Sequence, residues 1–533
     1  MNFLYDGAQL ELAEGEDKRI RFNPRVFNDV VKFLHKQGRF TDEMLLSPKV
    51  MRHIRETYRI LDGAISASIT QETPEELTNA LRNNAFIFSG FKTYHTLSEL
   101  GLQLTDETGT AKPFHKFAED VKAINAKYNI RYLQAEYDHA VHSSQMAVKW
   151  KDFEKDGDDF NLQYRTAGDE RVRAEHAQLD GVTLPPSDKF WKQYLPPNGW
   201  RCRCQVVQVL KEDYRVSDSD EAVKWGDMCT DDPKLKIFRF NPGMTLNLFP
   251  EKHPYNKVPK PVKKIVETMA AEESKEQRIQ ALRAQLPDNL TDAEKDAIAA
   301  HNYELEQAMG IKAGKPMTVE EADKQSANPA HVPKFLIDPA GPYYDNYAHY
   351  RLNPDYVKKR DEPNSINCQT CAPAYALRLM GFDVTAKPNT SGSKLDYLSR
   401  GRPFEVWRNP DGTPAQHTSL NSWRAKKGYK NMTPKRYLEF FDETCKEVGV
   451  YELSIGWQSG SGHATILQRF PDGTLKYIEP QHDNSAGSGY EFKDLDYLAE
   501  KGVRSASRIH DSRGIMRIDN KLFSLDFIEI FNK

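Results

Sequence analysis

Cysteine is scarce in this chain: six residues, at 202, 204, 229, 368, 371 and 445, among 533. That is too few for a disulfide scaffold, so each thiol is expected to be reduced and to serve as core filler, ligand or nucleophile. An excess of one charge is also missing. The 74 basic and 77 acidic side chains leave a formal net charge of −3, so no global field gathers nucleic acid or anionic lipid, and no sequence-specific nucleic-acid contact is expected. No run approaches the roughly 18 apolar residues that would cross a bilayer. The opening MNFLYDGAQLELAEGEDKRI lacks the charged-then-apolar order of a signal peptide. The expectation is a protein of a cytoplasm, or of a particle assembled there, without a membrane partner. No internal repeat is found.

Core-forming material is plentiful. Hydrophobic residues make up 39% of the chain, with 26 Phe, 24 Tyr and 7 Trp, which excludes a disordered chain. The length allows about three to five domains. Residues 20–150 read as mainly helical, with helices expected over 24–37, 48–61, 74–86 and 116–150. Residues 161–210 turn to Gly, Pro, Trp and Cys among short extended pieces, with CRCQVVQVL predicted as a strand. From 257 to 310 Tyr303 is the sole aromatic, and Ala, Glu, Lys and Gln crowd the segment. That composition predicts a solvated helical spacer rather than core. The chain is therefore expected to be a multidomain α+β protein, with a mainly helical domain over 1–250, a charged helical linker over 251–334, and an α+β domain over 335–533 in which a helix packs on an antiparallel sheet.

One constellation lies between 164 and 204. Arg173 and His176 stand three apart on a helical face, and Pro196-Pro197-Asn198-Gly199 is a turn leading Trp200 into Cys202 and Cys204. In a regular strand the two cysteines share a face with Cα atoms about 6.6 Å apart. That spacing favours buried thiols beside Trp200 over a zinc site built from His176, Cys202 and Cys204, with or without Cys229, so no metal and no cofactor are expected. A disulfide is the least favoured reading.

A second constellation begins at Asn367, an N-cap candidate directly before Cys368. The predicted helix carries Cys371, Tyr375, Ala376 and Leu379 along one side and ends at Gly381. Cys368 falls in the first turn, where backbone N–H groups and the helix dipole favour a thiolate, whereas Cys371 lies deeper. Downstream, Tyr451, Leu453, Ile455 and Trp457 alternate as a strand, His463 opens a second, and Pro471-Asp472-Gly473 turns into a third. A three-residue turn there sets Phe470 opposite Thr474, Thr465 opposite Glu479 and His463 opposite Gln481. His463 and Glu479 are then diagonal neighbours about 7 Å apart at Cβ, within reach of a hydrogen bond. Cys368, His463 and Glu479 are thus candidates for nucleophile, base and orienting acid, with Gln481 as an alternative orienting group.

Two family resemblances sit on these residues. The run Thr166, Asp169, Arg171, Arg173, His176, Asp180-Gly181, then Phe190-Trp191, then Pro196-Pro197-Asn198-Gly199-Trp200-Arg201-Cys202-Arg203-Cys204 resembles the phage Mu F-like minor head proteins. That resemblance implies head morphogenesis, a place in the virion inside the capsid near the portal, and portal and other capsid proteins as partners. The N-C-x-x-C-x-x-A at 367–374, Gly462-His463-Ala464 and Glu479-Pro480-Gln481 resemble papain-fold toxins of the glutamine deamidase type, with Glu479 where Asp is more usual. This implies a papain-like fold for the C-terminal domain, deamidation of a protein glutamine, action in a host cytoplasm, a host protein as substrate and an immunity protein as partner. A papain-like peptidase or isopeptidase, or a purely structural head protein with an inactive or binding-only C-terminal domain, are the alternatives.

Overall fold

The computed structural model describes residues 20–324, 327–331, 362–481 and 495–533. The expected domain start at 335 lies outside them. The architecture mixes α and β, with about half of the described residues in helices and several small antiparallel sheets. The chain divides into two compact units, Met1–Ser274 and Lys275–Lys533.

The first unit is built on amphipathic helices. Pro24–Gln37 starts where Asn23 accepts from the Arg25 N–H and stops at Gly38 in the left-handed conformation; Pro48–Ser66 starts on the Ser47 hydroxyl. With Glu75–Gly101 and Leu133–Asp156 these helices enclose Val30, Leu34, Ile54, Leu61, Leu81, Phe88 and Leu133. The long helix expected over 116–150 is broken into Phe114–Asp120, Lys122–Ala126, a π-helical stretch Lys127–Tyr132, and Leu133–Asp156. Inside this helical layer Lys92 and Glu136 form an ion pair with both side chains fully buried. A small sheet follows, in which β1 (Asn161–Arg165) lies between β2 (Thr183–Leu184) and β3 (Gln205–Val209), all antiparallel. The strand expected to begin at Cys202 therefore begins three residues later.

The segment expected as a solvated spacer is core instead. In helix Lys260–Ala284, Val262, Val266 and Met269 join the core of the first unit, and Leu282 that of the second. Leu286, Leu290, Ile298, Leu305 and Met309 are buried with Tyr375 and Leu377. A low aromatic content misled because small and aliphatic side chains at helical spacing suffice to bury one face.

The second unit is organised on one sheet. The short strands β4 (Thr385–Ala386) and β5 (Trp407–Arg408) precede β6 (Thr418–Ser419), β7 (Gly449–Gly456), β8 (Gly462–Arg469), β9 (Leu475–Ile478) and β10 (Gly514–Arg517); β11 (Leu522–Phe523) and β12 (Phe531–Asn532) follow. The central sheet runs β6-β10-β7-β8-β9, every neighbour antiparallel, while β11 pairs β5 and β12 pairs β4. Alternate residues feed two cores. Tyr451, Leu453 and Ile455 join Tyr437, Phe440 and Leu498, whereas Val450, Ile466, Ile478 and Met516 join Tyr375 and Leu377 of helix Cys368–Leu379. That helix packs against β8, where the Tyr375 hydroxyl donates to Gln468 Oε1 at 2.9 Å. Among the described residues no helix is long and apolar enough to cross a membrane.

Candidate functional site

The turn after β8 sets the register of the site. Phe470 N–H donates to the Thr474 carbonyl at 2.9 Å, and Ile466 pairs with Ile478 and Leu467 with Tyr477. Carried past the end of β9, this register places Glu479 diagonal to His463 on one face of the hairpin. His463 Nε2 and Glu479 Oε2 are 2.6 Å apart, and both side chains are buried. The Tyr477 hydroxyl also donates to Glu479 Oε2, and the Gln481 backbone N–H donates to Oε1 at 3.1 Å. The carboxylate is thus held by three donors. Burial pulls the His463 pKa down, but the Glu479 carboxylate and Cys368 outweigh it and raise the value to about 10.

Cys368 is the first residue of its helix and half-exposed; it interacts with the His463 ring that Glu479 holds. The N–H groups of Cys368 and Gln369 meet no backbone acceptor among the described residues, as befits a helix start. Cys371 is buried and donates its thiol to the Asn367 carbonyl at 3.3 Å; burial pushes its pKa up. Cys445 is likewise buried, and its pKa is raised by burial.

Asn367 does not cap the helix with its side chain. Its Nδ2 donates to Asn328 Oδ1 at 2.9 Å and to the Lys387 carbonyl at 3.2 Å, and its Oδ1 accepts from Asn328 Nδ2 at 3.1 Å. Asn328 Nδ2 also donates to the Gln481 carbonyl at 2.9 Å. The side chain hydrogen-bonded to His463 is Glu479, not Gln481. Gln481 fixes Glu479 through its backbone and joins the asparagine pair, its Nε2 lying 3.4 Å from Asn367 Oδ1.

Three further residues shape the site without a sequence signal having singled them out. Trp457 stacks on His463 with centroids 5.7 Å apart. Tyr477 was legible in principle, two positions before Glu479 on the same strand face. Arg513, just before β10, brings a largely buried guanidinium whose charge acts on Cys368, and its Nη1 donates to Ser454 Oγ at 3.0 Å. Gly462 makes room for it: a Cβ there would lie 2.2 Å from Arg513 Nη2.

The constellation in the first unit is also assembled. Asp169 pairs with Arg203 through two contacts of 2.6 Å, Arg173 Nη2 donates to the Trp200 carbonyl at 2.7 Å, and Asp180 accepts from Thr166 N–H at 2.7 Å. Cys202 and Cys204 precede β3 in a bent backbone with Arg201 at φ 56°. Each sulfur lies 3.6 Å from His176 Nδ1.

Residues 105–207 match the family model described as Phage Mu protein F like protein. The whole constellation lies inside this Mu F-like segment. The chain is similar to "Putative capsid assembly protein F" of Escherichia phage Mu, 35% identical over 86 residues, covering 14% of this chain and 19% of that protein. It is also similar to "Mu-like prophage FluMu F protein" of Haemophilus influenzae, 36% identical over 62 residues, covering 11% of this chain and 15% of that protein. The chain thus spans about a fifth or less of the length of these curated relatives. No solved structure matches the chain.

Proposed function

We propose that the chain is a capsid-associated phage protein whose second unit carries a thiol hydrolase acting on the side-chain carboxamide of a protein glutamine. The first half of this reading rests on the Mu F-like segment at 105–207 and its likeness to a protein described as acting in capsid assembly. Portal and other capsid proteins are the partners it implies, and the virion the place. The second half rests on one observation: Cys368, at a helix start, interacts with the His463 ring whose Nε2 lies 2.6 Å from Glu479 Oε2.

In this mechanism His463 takes the Cys368 proton and the sulfur attacks the carboxamide carbon. The developing oxyanion finds the N–H groups at the helix start. Collapse expels ammonia, which leaves with the proton held by His463, and a thioester remains. Water, deprotonated by His463, attacks the thioester, releasing glutamate and restoring the thiol. Glu479 holds the imidazole and stabilises its charge throughout.

The test is ammonia release from a glutamine-rich protein such as casein by the full chain, with intact-mass analysis of the casein. Amide-to-acid mass gains that disappear in Cys368→Ala support the reading. Fragments would make the site a peptidase. An unchanged substrate, together with undiminished capsid assembly in Cys368→Ala phage, would leave the head role alone.

A further inference from the structure

We propose that His176, Cys202, Cys204 and Cys229 form a closed structural site for a tetrahedral thiophilic divalent cation, zinc foremost. A regular strand would hold Cys202 and Cys204 too far apart for one metal. Here the backbone bends at Arg201 and the strand starts only at Gln205. The ligand atoms of His176, Cys202 and Cys204 all lie within 4.8 Å of one another.

The separations suit zinc. With zinc–sulfur bonds of about 2.3 Å and zinc–nitrogen bonds of about 2.05 Å at tetrahedral angles, sulfur and nitrogen stand about 3.6 Å apart. Both cysteine sulfurs lie 3.6 Å from the same ring nitrogen, His176 Nδ1. Cys229, the last residue of helix Ser219–Cys229, is buried beside the same ring but outside that set of three, and a turn of its side chain toward the ion would make it the fourth ligand. All four side chains are buried, so no position is left open for substrate, as befits a structural rather than a catalytic metal.

The surroundings hold these ligands in place. Tyr164 interacts with Cys204 while donating to Asn198 Oδ1 at 2.9 Å, and the Arg173 bond to the Trp200 carbonyl braces the turn from which Cys202 departs. Three thiolates and a neutral imidazole around a dication leave one net negative charge, and Arg203 is close enough for its guanidinium to interact with both Cys202 and Cys204. Binding releases the thiol protons to solvent, so occupancy is expected to fall in acid. The site would join the short helix Ala174–Ala177, the turn before β3 and helix Ser219–Cys229.

Elemental analysis of the full chain, grown with added zinc and purified without chelator, is expected to give stoichiometric zinc. The amount should fall to background in Cys204→Ser and His176→Ala and stay unchanged in Cys445→Ser. Because the first two substitutions also alter buried side chains, the wild type carries a second readout. Cobalt added to reduced, metal-stripped chain should produce thiolate-to-metal charge-transfer and tetrahedral d–d bands, which zinc then erases. Zinc-free wild type that also shows no cobalt bands would overturn the proposal. Full zinc with an unchanged cobalt spectrum in Cys229→Ser would remove Cys229 from the ligand set. None of these measurements depends on activity at Cys368.

Discussion

Two buried glutamates in the second unit differ in what they meet, and each makes a pH prediction. Glu479 faces His463, whose pKa is raised from 6.5 to about 10, so the pair's contribution to stability is fully present below about pH 6.5 and lost as pH rises through about 10. Glu479→Ala leaves a buried imidazole without its carboxylate and is expected to lower unfolding free energy at pH 7 by about 3 kcal/mol, with a flatter profile between those pH values; denaturant titrations across pH check this. Among the described residues Glu452 has only the Trp407 Nε1 donor, at 2.7 Å, on one oxygen, and its Oε1 is buried without a partner there. Burial raises its pKa from 4.5 to about 8, the Trp407 bond opposing. Its folded-state value lies above the unfolded one, so stability should fall as pH rises from about 4.5 to 8, by up to about 1.4 kcal/mol per unit. Glu452→Gln keeps the Trp407 bond and removes the titration, so its melting temperature should exceed that of the wild type at pH 8. At Cys368 the check is alkylation: among the six thiols it alone is not buried, so iodoacetamide should label it first, and more slowly in His463→Ala. Peptide mapping reads the order, and labelling that followed Cys371 would place the reactive thiol one turn along the helix.

At the scale of elements, helix Cys368–Leu379 is positioned by both of its ends. Its start is tied by the Asn367 and Asn328 side chains, and its end by the return at Gly381, which has φ 93°. A Cβ at Gly381 would lie 2.4 Å from the Gly314 carbonyl oxygen, a backbone atom that cannot swing aside as a side chain can. Gly381→Ala should therefore cost roughly 1–3 kcal/mol, seen as a lower melting temperature. The β8–β9 hairpin was legible because its register depends on a local Pro-Asp-Gly turn and the two-residue period of a strand. The CRC segment was not. A left-handed Arg201 has no sequence signal comparable to glycine, so the knuckle looked like the first residues of a strand.

For the whole molecule, the decisive difference is the segment from 257 to 330. Ile298 is 1% exposed and packs within the core that also holds Tyr375 and Leu377. Ile298→Ala is expected to destabilise the second unit by about 2–5 kcal/mol, whereas a solvated spacer would tolerate it; calorimetry of the full chain distinguishes the two. In the first unit Lys92 and Glu136 carry a related consequence. Burial lowers the Lys92 pKa while Glu136 raises it, so Lys92→Ala should cost about 3–5 kcal/mol, more than an average substitution, by stranding the carboxylate.

What followed from residue order alone was local: the hairpin register, the helix that opens at Cys368, the helical character of 24–101, and a motif dense enough to carry a family likeness. Each depends on neighbours within one turn or one strand, where sterics and periodicity dominate. What depended on folding was long-range. Arg513 reaches Cys368 by way of the strand order β6-β10-β7-β8-β9, and Asn328 reaches Gln481 across 153 positions. Cys229 comes near His176 because helix Ser219–Cys229 packs on the short helix Ala174–Ala177. No periodicity encodes such meetings, since they follow from which buried faces pack together once the chain has collapsed.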